Sequence, residues 1–187
     1  MLASCILAGC LPSTARPGQP LDVVAAWTEA RNRGDVDEAM SHLSETANVF
    51  GMGMHLPGLR EQLRDILAAQ AVAGWSAIES DCTVAAETVN CRYVQRDRIL
   101  DRWDLELTGR HRYIVRDGKL TFAERVHDVE SRRAAYSVFD DFRDWVADAH
   151  PELVDVIWSD PTSALYTTPE GAQAVLDVLD EYVPPGS

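Results

Sequence analysis

The sequence has no apolar run near the ~20 residues that a membrane-spanning helix needs. It holds no glycine-rich phosphate loop, no G-x-S-x-G elbow and no H-E-x-x-H helix. The usual signatures of nucleotide-binding, serine-hydrolase and zinc-peptidase sites are therefore missing. Positive charge is scarce: 17 Lys and Arg stand against 30 Asp and Glu, a formal net charge of −13. Such a surface repels phosphate backbones, so no nucleic-acid partner is expected. No second cysteine pair or histidine cluster completes a zinc ligand set. Neither a metal nor a cofactor is implied.

What remains is ordinary for a globular chain. Its 187 residues are 46% hydrophobic and 25% charged, enough for one packed domain. Charge is unevenly spread: Arg92 to Arg133 is rich in arginine, and Asp and Glu dominate from Asp140 onward. Either a basic sheet face is covered by acidic helices, or the arginines serve an anionic partner.

The N-terminus reads Met-Leu-Ala-Ser-Cys-Ile-Leu-Ala-Gly-Cys, and Leu7-Ala8-Gly9-Cys10 resembles a bacterial lipobox. That resemblance implies lipidation of Cys10 and a membrane-anchored, extracytoplasmic lipoprotein. Residues 11–20 (LPSTARPGQP) read as a tether, because Pro, Gly, Ser and Thr build no core. A basic n-region and a full apolar h-region do not fit between Met1 and Cys10. The reading therefore places the true start upstream; the alternative is an accidental LAGC.

The other cysteines bear on the same question. Asp81 to Val84 and Val89 to Tyr93 read as short strands joined around residues 85–88. Pairing Val84 with Val89 sets Cys82 opposite Cys91, close enough for a disulfide. Disulfides persist in oxidising compartments. With Cys5 lost in the signal and Cys10 lipidated, all four cysteines are assigned. The alternative for Cys82 and Cys91 is two small buried hydrophobes.

Along the chain, Val23, Val24, Trp27 and Ala30 or Arg31 mark one face of a first helix. Asp35 is placed to cap a second helix, and Pro57-Gly58 precedes a third, with Leu59, Leu63, Ile66, Leu67 and Gln70 on its face. Beyond Trp75 the period becomes two: Ile78, Ser80, Cys82, Val84; then Val89, Cys91, Tyr93; then Trp103, Leu105, Leu107. Asp117-Gly118 signals a tight hairpin turn. Helices followed by an antiparallel meander mean an α+β fold.

A helix, Gly34-Asp35, two further helices and long hairpins resemble the nuclear-transport-factor-2-like superfamily, including its SnoaL-like branch. The stretch Gly109 to Leu120 (GRHRYIVRDGKL), closing at Val126-His127-Asp128, is similar to the family's last two strands. The resemblance spans roughly residues 21–129. It implies a cone: a curved antiparallel sheet wrapped around helices and an apolar pocket. Relatives include cyclases, isomerases, dehydratases and non-catalytic binding or assembly modules, and the fold does not choose among them.

Residues 1–20 are thus read as signal remnant and tether, 21–130 as the cone domain, and 131–187 as a helical extension packed on it. Tyr136, Phe139, Phe142, Val146 and Ala149 mark a fourth helix, and Thr168-Pro169-Glu170 opens the last one.

Counting outward from Asp117-Gly118 gives facing pairs Val115–Leu120, Tyr113–Phe122 and His111–Glu124, with Arg110, Arg112, Lys119 and Arg125 on the opposite face. His111 and Glu124 are then the candidate acid–base pair; alternatively they are a mutually satisfied polar pair. Trp27, Trp75, Tyr93, Trp103, Tyr113, Phe122 and Asp128 are the candidate pocket residues. The expected role is binding a small apolar or amphipathic ligand, or a partner protein, at the cell envelope. The alternatives are an acid–base cyclase, isomerase or dehydratase, and an assembly module forming a homodimer through the sheet.

Overall fold

The computed structural model describes residues 19–51, 54–57, 60–158 and 166–184. The lipobox reading, with Cys5 and Cys10, lies outside them.

Three N-terminal helices come first: α1 (Pro20–Asn32), α2 (Val36–Ser41) and α3 (Arg60–Ala73), with β1 (Leu43–Gly51) and β2 (Met54–Pro57) before α3. Asp35 caps α2 through its side chain, which accepts the Glu38 N–H at 3.0 Å. The rest of the sheet is β3 (Ser76–Ala85), β4 (Thr88–Arg96), β5 (Leu107–Arg116) and β6 (Lys119–His127). Its six strands lie in the order β2-β1-β6-β5-β4-β3. All neighbours are antiparallel except β1 and β6, which run parallel. The architecture is the expected α+β arrangement, a curved sheet with helices against one face. Val24, Trp27, Met40, Leu63 and Leu67 from the helices pack there on Val89, Tyr113, Val115, Leu120 and Ala123.

Both turn residues of the last hairpin sit at positive φ, Asp117 at 50° and Gly118 at 71°, as a two-residue type I′ turn requires. Val115 faces Leu120 as expected. The ladder then shifts between Ile114 and Val115, leaving Thr121 as an extra residue. Phe122 therefore faces Ile114, and Tyr113 faces Ala123. Glu124 faces Arg112, and His111 faces Arg125. One inserted residue exchanges the two faces of β6. The expected Tyr113–Phe122 and His111–Glu124 pairs do not form, and Arg125 moves to the inner side.

A second bulge does the same to β3. Val84 pairs with Val89 as read from the sequence, and Cys82 and Cys91 are bonded, with Cα atoms 4.1 Å apart. Between Ser80 and Thr83 the ladder is interrupted, and Asp81 adopts φ 50°. Beyond this kink the parity reverses: Ala77 is buried, whereas Ile78 is 62% exposed. The strand expected from Trp103 starts only at Leu107. Asp97 accepts the N–H groups of Ile99 and Leu100 and so opens a short helix, α4 (Arg98–Arg102).

The C-terminal extension comprises α5 (Val129–Ala149), a 3-10 turn at Pro151–Leu153, α6 (Val154–Ile157) and α7 (Pro169–Val178). Thr168 caps α7 by accepting the Gly171 N–H at 3.1 Å, with Pro169 at its first turn. Phe142, Val146, Trp158, Val175 and Tyr182 gather around Ile99 and Trp103 as a second core. Apolar residues of α4 and its C-cap are thereby covered by the extension.

Candidate functional site

The pocket opens between α1, α3 and the inner face of the sheet, a cavity of about 50 Å³. Trp27, Val49, Leu63, Ile66 and Leu67 supply apolar wall; Arg31, Gln70, His111, Tyr113 and Arg125 supply polar groups. Of the residues expected there, Trp27, His111, Tyr113 and Glu124 line the pocket, the Trp27 and Tyr113 rings meeting edge-on at 5.6 Å.

His111 does not bond Glu124. Its Nδ1 lies 2.7 Å from Glu79 Oε1 on β3. Tyr113 donates its hydroxyl to the same oxygen and lies 2.7 Å from His111 Nδ1. A carboxylate only accepts, so Nδ1 carries the hydrogen and Nε2 keeps the lone pair of the neutral ring. Burial lowers the His111 pKa to about 4, against the raising effect of Glu79. Burial and Glu79 both push the Tyr113 hydroxyl well above its usual value.

Tyr93 stands behind the pocket, its ring stacked on His111 with centroids 4.0 Å apart. It pairs across β4 and β5 with Gly109. A Cβ at Gly109 would lie 2.1 Å from the Val126 carbonyl oxygen and 3.0 Å from the Tyr93 ring. Glycine is needed here for that close approach. The Tyr93 hydroxyl thereby reaches His127 Nδ1 at 2.5 Å. Burial, then Arg125, lowers the His127 pKa to about 3.

Trp75, Trp103, Phe122 and Asp128 are not among the residues lining the pocket. Trp75 lies behind Arg31, whose guanidinium is 3.8 Å from the Trp75 ring centroid and 4.3 Å from that of Trp27. Trp103 belongs to the second core, beside Phe142 and Tyr182. Phe122 packs with Phe50 and beneath Arg112. Glu124 borders the pocket from the strand but lies on the parity opposite to Arg125. Asp128 latches the strand ends, accepting from Thr108 Oγ1 at 2.9 Å and from Arg92 at 3.2 Å.

Sequence reasoning missed Glu79, Arg125 and Gln70 as site residues, and left Arg31 an alternative to Ala30. For Arg31 a signal existed: a cation four residues beyond Trp27 and three beyond Thr28 falls on the apolar stripe of α1. Glu79 and Arg125 were hidden by bulges that no turn residue announces.

Comparison with solved structures places this geometry. An NTF2-like protein of unknown function from Cytophaga hutchinsonii superposes with a TM-score of 0.52 at 15% identity, over 62% of this chain and 95% of that one. The fold is NTF2-like. Wild-type IdmH from Streptomyces antibioticus, described as a candidate polyketide cyclase, gives a TM-score of 0.52 at 24% identity, over 64% and 99% of the two chains. A candidate polyketide cyclase from Sinorhizobium meliloti gives 0.50 at 22% identity, over 58% and 99%. No protein-family model and no curated protein matches the sequence. The fold is thus shared with candidate polyketide cyclases, and at these identities the likeness carries the fold alone.

The Glu79 carboxylate also lies within 4.8 Å of the sulfurs of Cys82 and Cys91. Both sulfurs are spent in the disulfide, so this trio offers no thiolate to a metal.

Proposed function

We propose that this protein is an exported, envelope-anchored binding domain whose cone pocket takes a small amphipathic ligand. The observation that carries the binding role is the pocket's composition. Apolar walls from α1, α3 and β1 enclose a small group of convergent polar side chains, the pattern of a small-molecule site. Export is supported by the Cys82–Cys91 disulfide and by the lipobox-like LAGC at residues 7–10.

The second reading, an acid–base isomerase or cyclase, draws on His111. Glu79 orients the ring and leaves Nε2 for proton abstraction. Magnitude weighs against it: a ring titrating near 4 is a weak base at neutral pH. Binding is therefore placed first.

The test is native mass spectrometry of the protein extracted from its own membrane, with the N-terminal peptide identified. A lipidated Cys10, a mass two hydrogens short at the disulfide and a co-purifying small molecule are the expected results. An unmodified N-terminus with free thiols would overturn export. An empty pocket that no small molecule stabilises against heat would overturn the binding role. Turnover of a candidate substrate that is lost in His111→Ala with the fold intact would move the enzyme reading to first place.

A further inference from the structure

Two arginines face the pocket, and neither has a carboxylate partner among the described residues. Arg31 Nη2 donates to the neutral amide of Gln70 at 2.9 Å, and Arg125 Nη1 donates to the neutral amide of Gln95 at 2.7 Å. Elsewhere in the chain, exposed arginines such as Arg33, Arg92 and Arg116 find acidic partners. In both pocket arginines the Nε atom is sealed from solvent without a hydrogen-bond acceptor. A buried donor left unmet costs about 1–3 kcal/mol, more when it carries charge.

Among the described residues, the one carboxylate that bonds the pocket's polar groups, Glu79, is engaged by His111 and Tyr113. Asp97 is engaged too, by the Ile99 and Leu100 amides and by Gln95. The protein therefore supplies two cations to this cavity while Glu79 and Asp97 serve other donors; Glu124, which also lines it, forms no ion pair with either arginine among the described residues.

We propose that the pocket binds a small organic monocarboxylate, its carboxylate held by Arg31 and Arg125 and its apolar end against Leu63, Ile66 and Leu67. This assignment deepens the ligand-binding role proposed above and rests on it. Guanidinium groups present paired N–H donors that match a planar carboxylate. The indole faces of Trp27 and Trp75 hold the Arg31 plane in place. A cavity of about 50 Å³ has room for on the order of four waters, which suits a carboxylate with a short tail. A dianion such as phosphate is disfavoured by Glu79, whose charge acts on Arg31, and by a neutral His111 that adds no charge. Burial lowers the pKa of both arginines, Arg31 to about 9, against the raising effect of Tyr113 and Glu79 on Arg31 and of Asp97 on Arg125.

The experiment is isothermal titration of the full, disulfide-bonded protein at pH 7 with butyrate and hexanoate, their amides, and inorganic phosphate. Each carboxylate is expected to bind roughly 10-fold or more tightly than its amide, because charge-assisted hydrogen bonds are lost in the amide. Arg125→Gln and Arg31→Gln should each remove that preference while circular dichroism stays native. Should Arg31→Gln fail to fold, Arg31→Lys keeps the charge without the planar fork and should lower carboxylate affinity. Equal binding of acid and amide would overturn the carboxylate assignment and leave the pocket reading standing. Phosphate binding as tightly as hexanoate would overturn the class of anion. No binding by acids or amides would overturn both readings.

Discussion

Glu79 Oε1 lies 2.7 Å from His111 Nδ1, although the two residues sit on strands separated by β4. The bulge at Asp81 turns Glu79 inward, and the disulfide at Cys82 bridges the interrupted ladder to Cys91. Cys91 is in turn the register partner of His111. A covalent link, a strand kink and a buried hydrogen-bonded cluster are thus one local assembly.

Removing the acceptor at its centre should be costly. Glu79→Ala leaves the His111 N–H and the Tyr113 hydroxyl without their shared partner, at about 1–3 kcal/mol each. Glu79→Gln keeps a carbonyl acceptor and should lose less than half as much. Urea unfolding of the two variants reads the difference, and equal losses would mean that charge rather than hydrogen bonding holds the cluster.

The disulfide closes a short loop, with its cysteines 9 residues apart in sequence. Chain-entropy reasoning gives about 2–3 kcal/mol of stabilisation for such a loop. Cys82→Ser with Cys91→Ser should lower the unfolding free energy by that amount. The same variant should show a change in the His111 ring resonances by NMR, because Glu79 loses its tether. A stability loss with unchanged His111 resonances would show that the bulge alone positions Glu79.

Acid should destabilise the fold through its histidines. Both His111 and His127 are held below the ordinary value of 6.5, at about 4 and about 3. The unfolded chain therefore takes up their protons first as pH falls. Their contribution is fully present above about pH 6.5 and is lost progressively down to the folded values. In that window each neutral ring adds a slope of roughly 1.4 kcal/mol per pH unit. His111→Gln should flatten the pH dependence of unfolding between pH 6 and 4 by about one proton. An unchanged slope would mean that the His111 ring is charged in the folded state.

The extension should unfold with the cone. Phe142 is completely buried between Trp103, Trp158 and Tyr182. Phe142→Ala should cost about 3–5 kcal/mol and lower a single thermal transition. Two separate transitions in calorimetry would show that residues 131–184 form an independent unit.

Much of this was legible in the residues themselves. Helix caps at Asp35 and Thr168, the Asp117-Gly118 turn and the Cys82–Cys91 pairing are settled within about ten residues of chain, where local hydrogen bonds and steric limits act. They established the element order and the α+β class. The inward face of each strand was not settled that way. Strand parity is a long-range property: one inserted residue at Asp81 or Thr121 exchanges the faces of everything beyond it. Alternation therefore named His111 and Tyr113 but chose Glu124 where Glu79 stands, and set Arg125 outside. Only the packing of the sheet on α1 and α3 decided which arginines line the pocket with their Nε atoms sealed from water, because burial is fixed by neighbours distant in sequence.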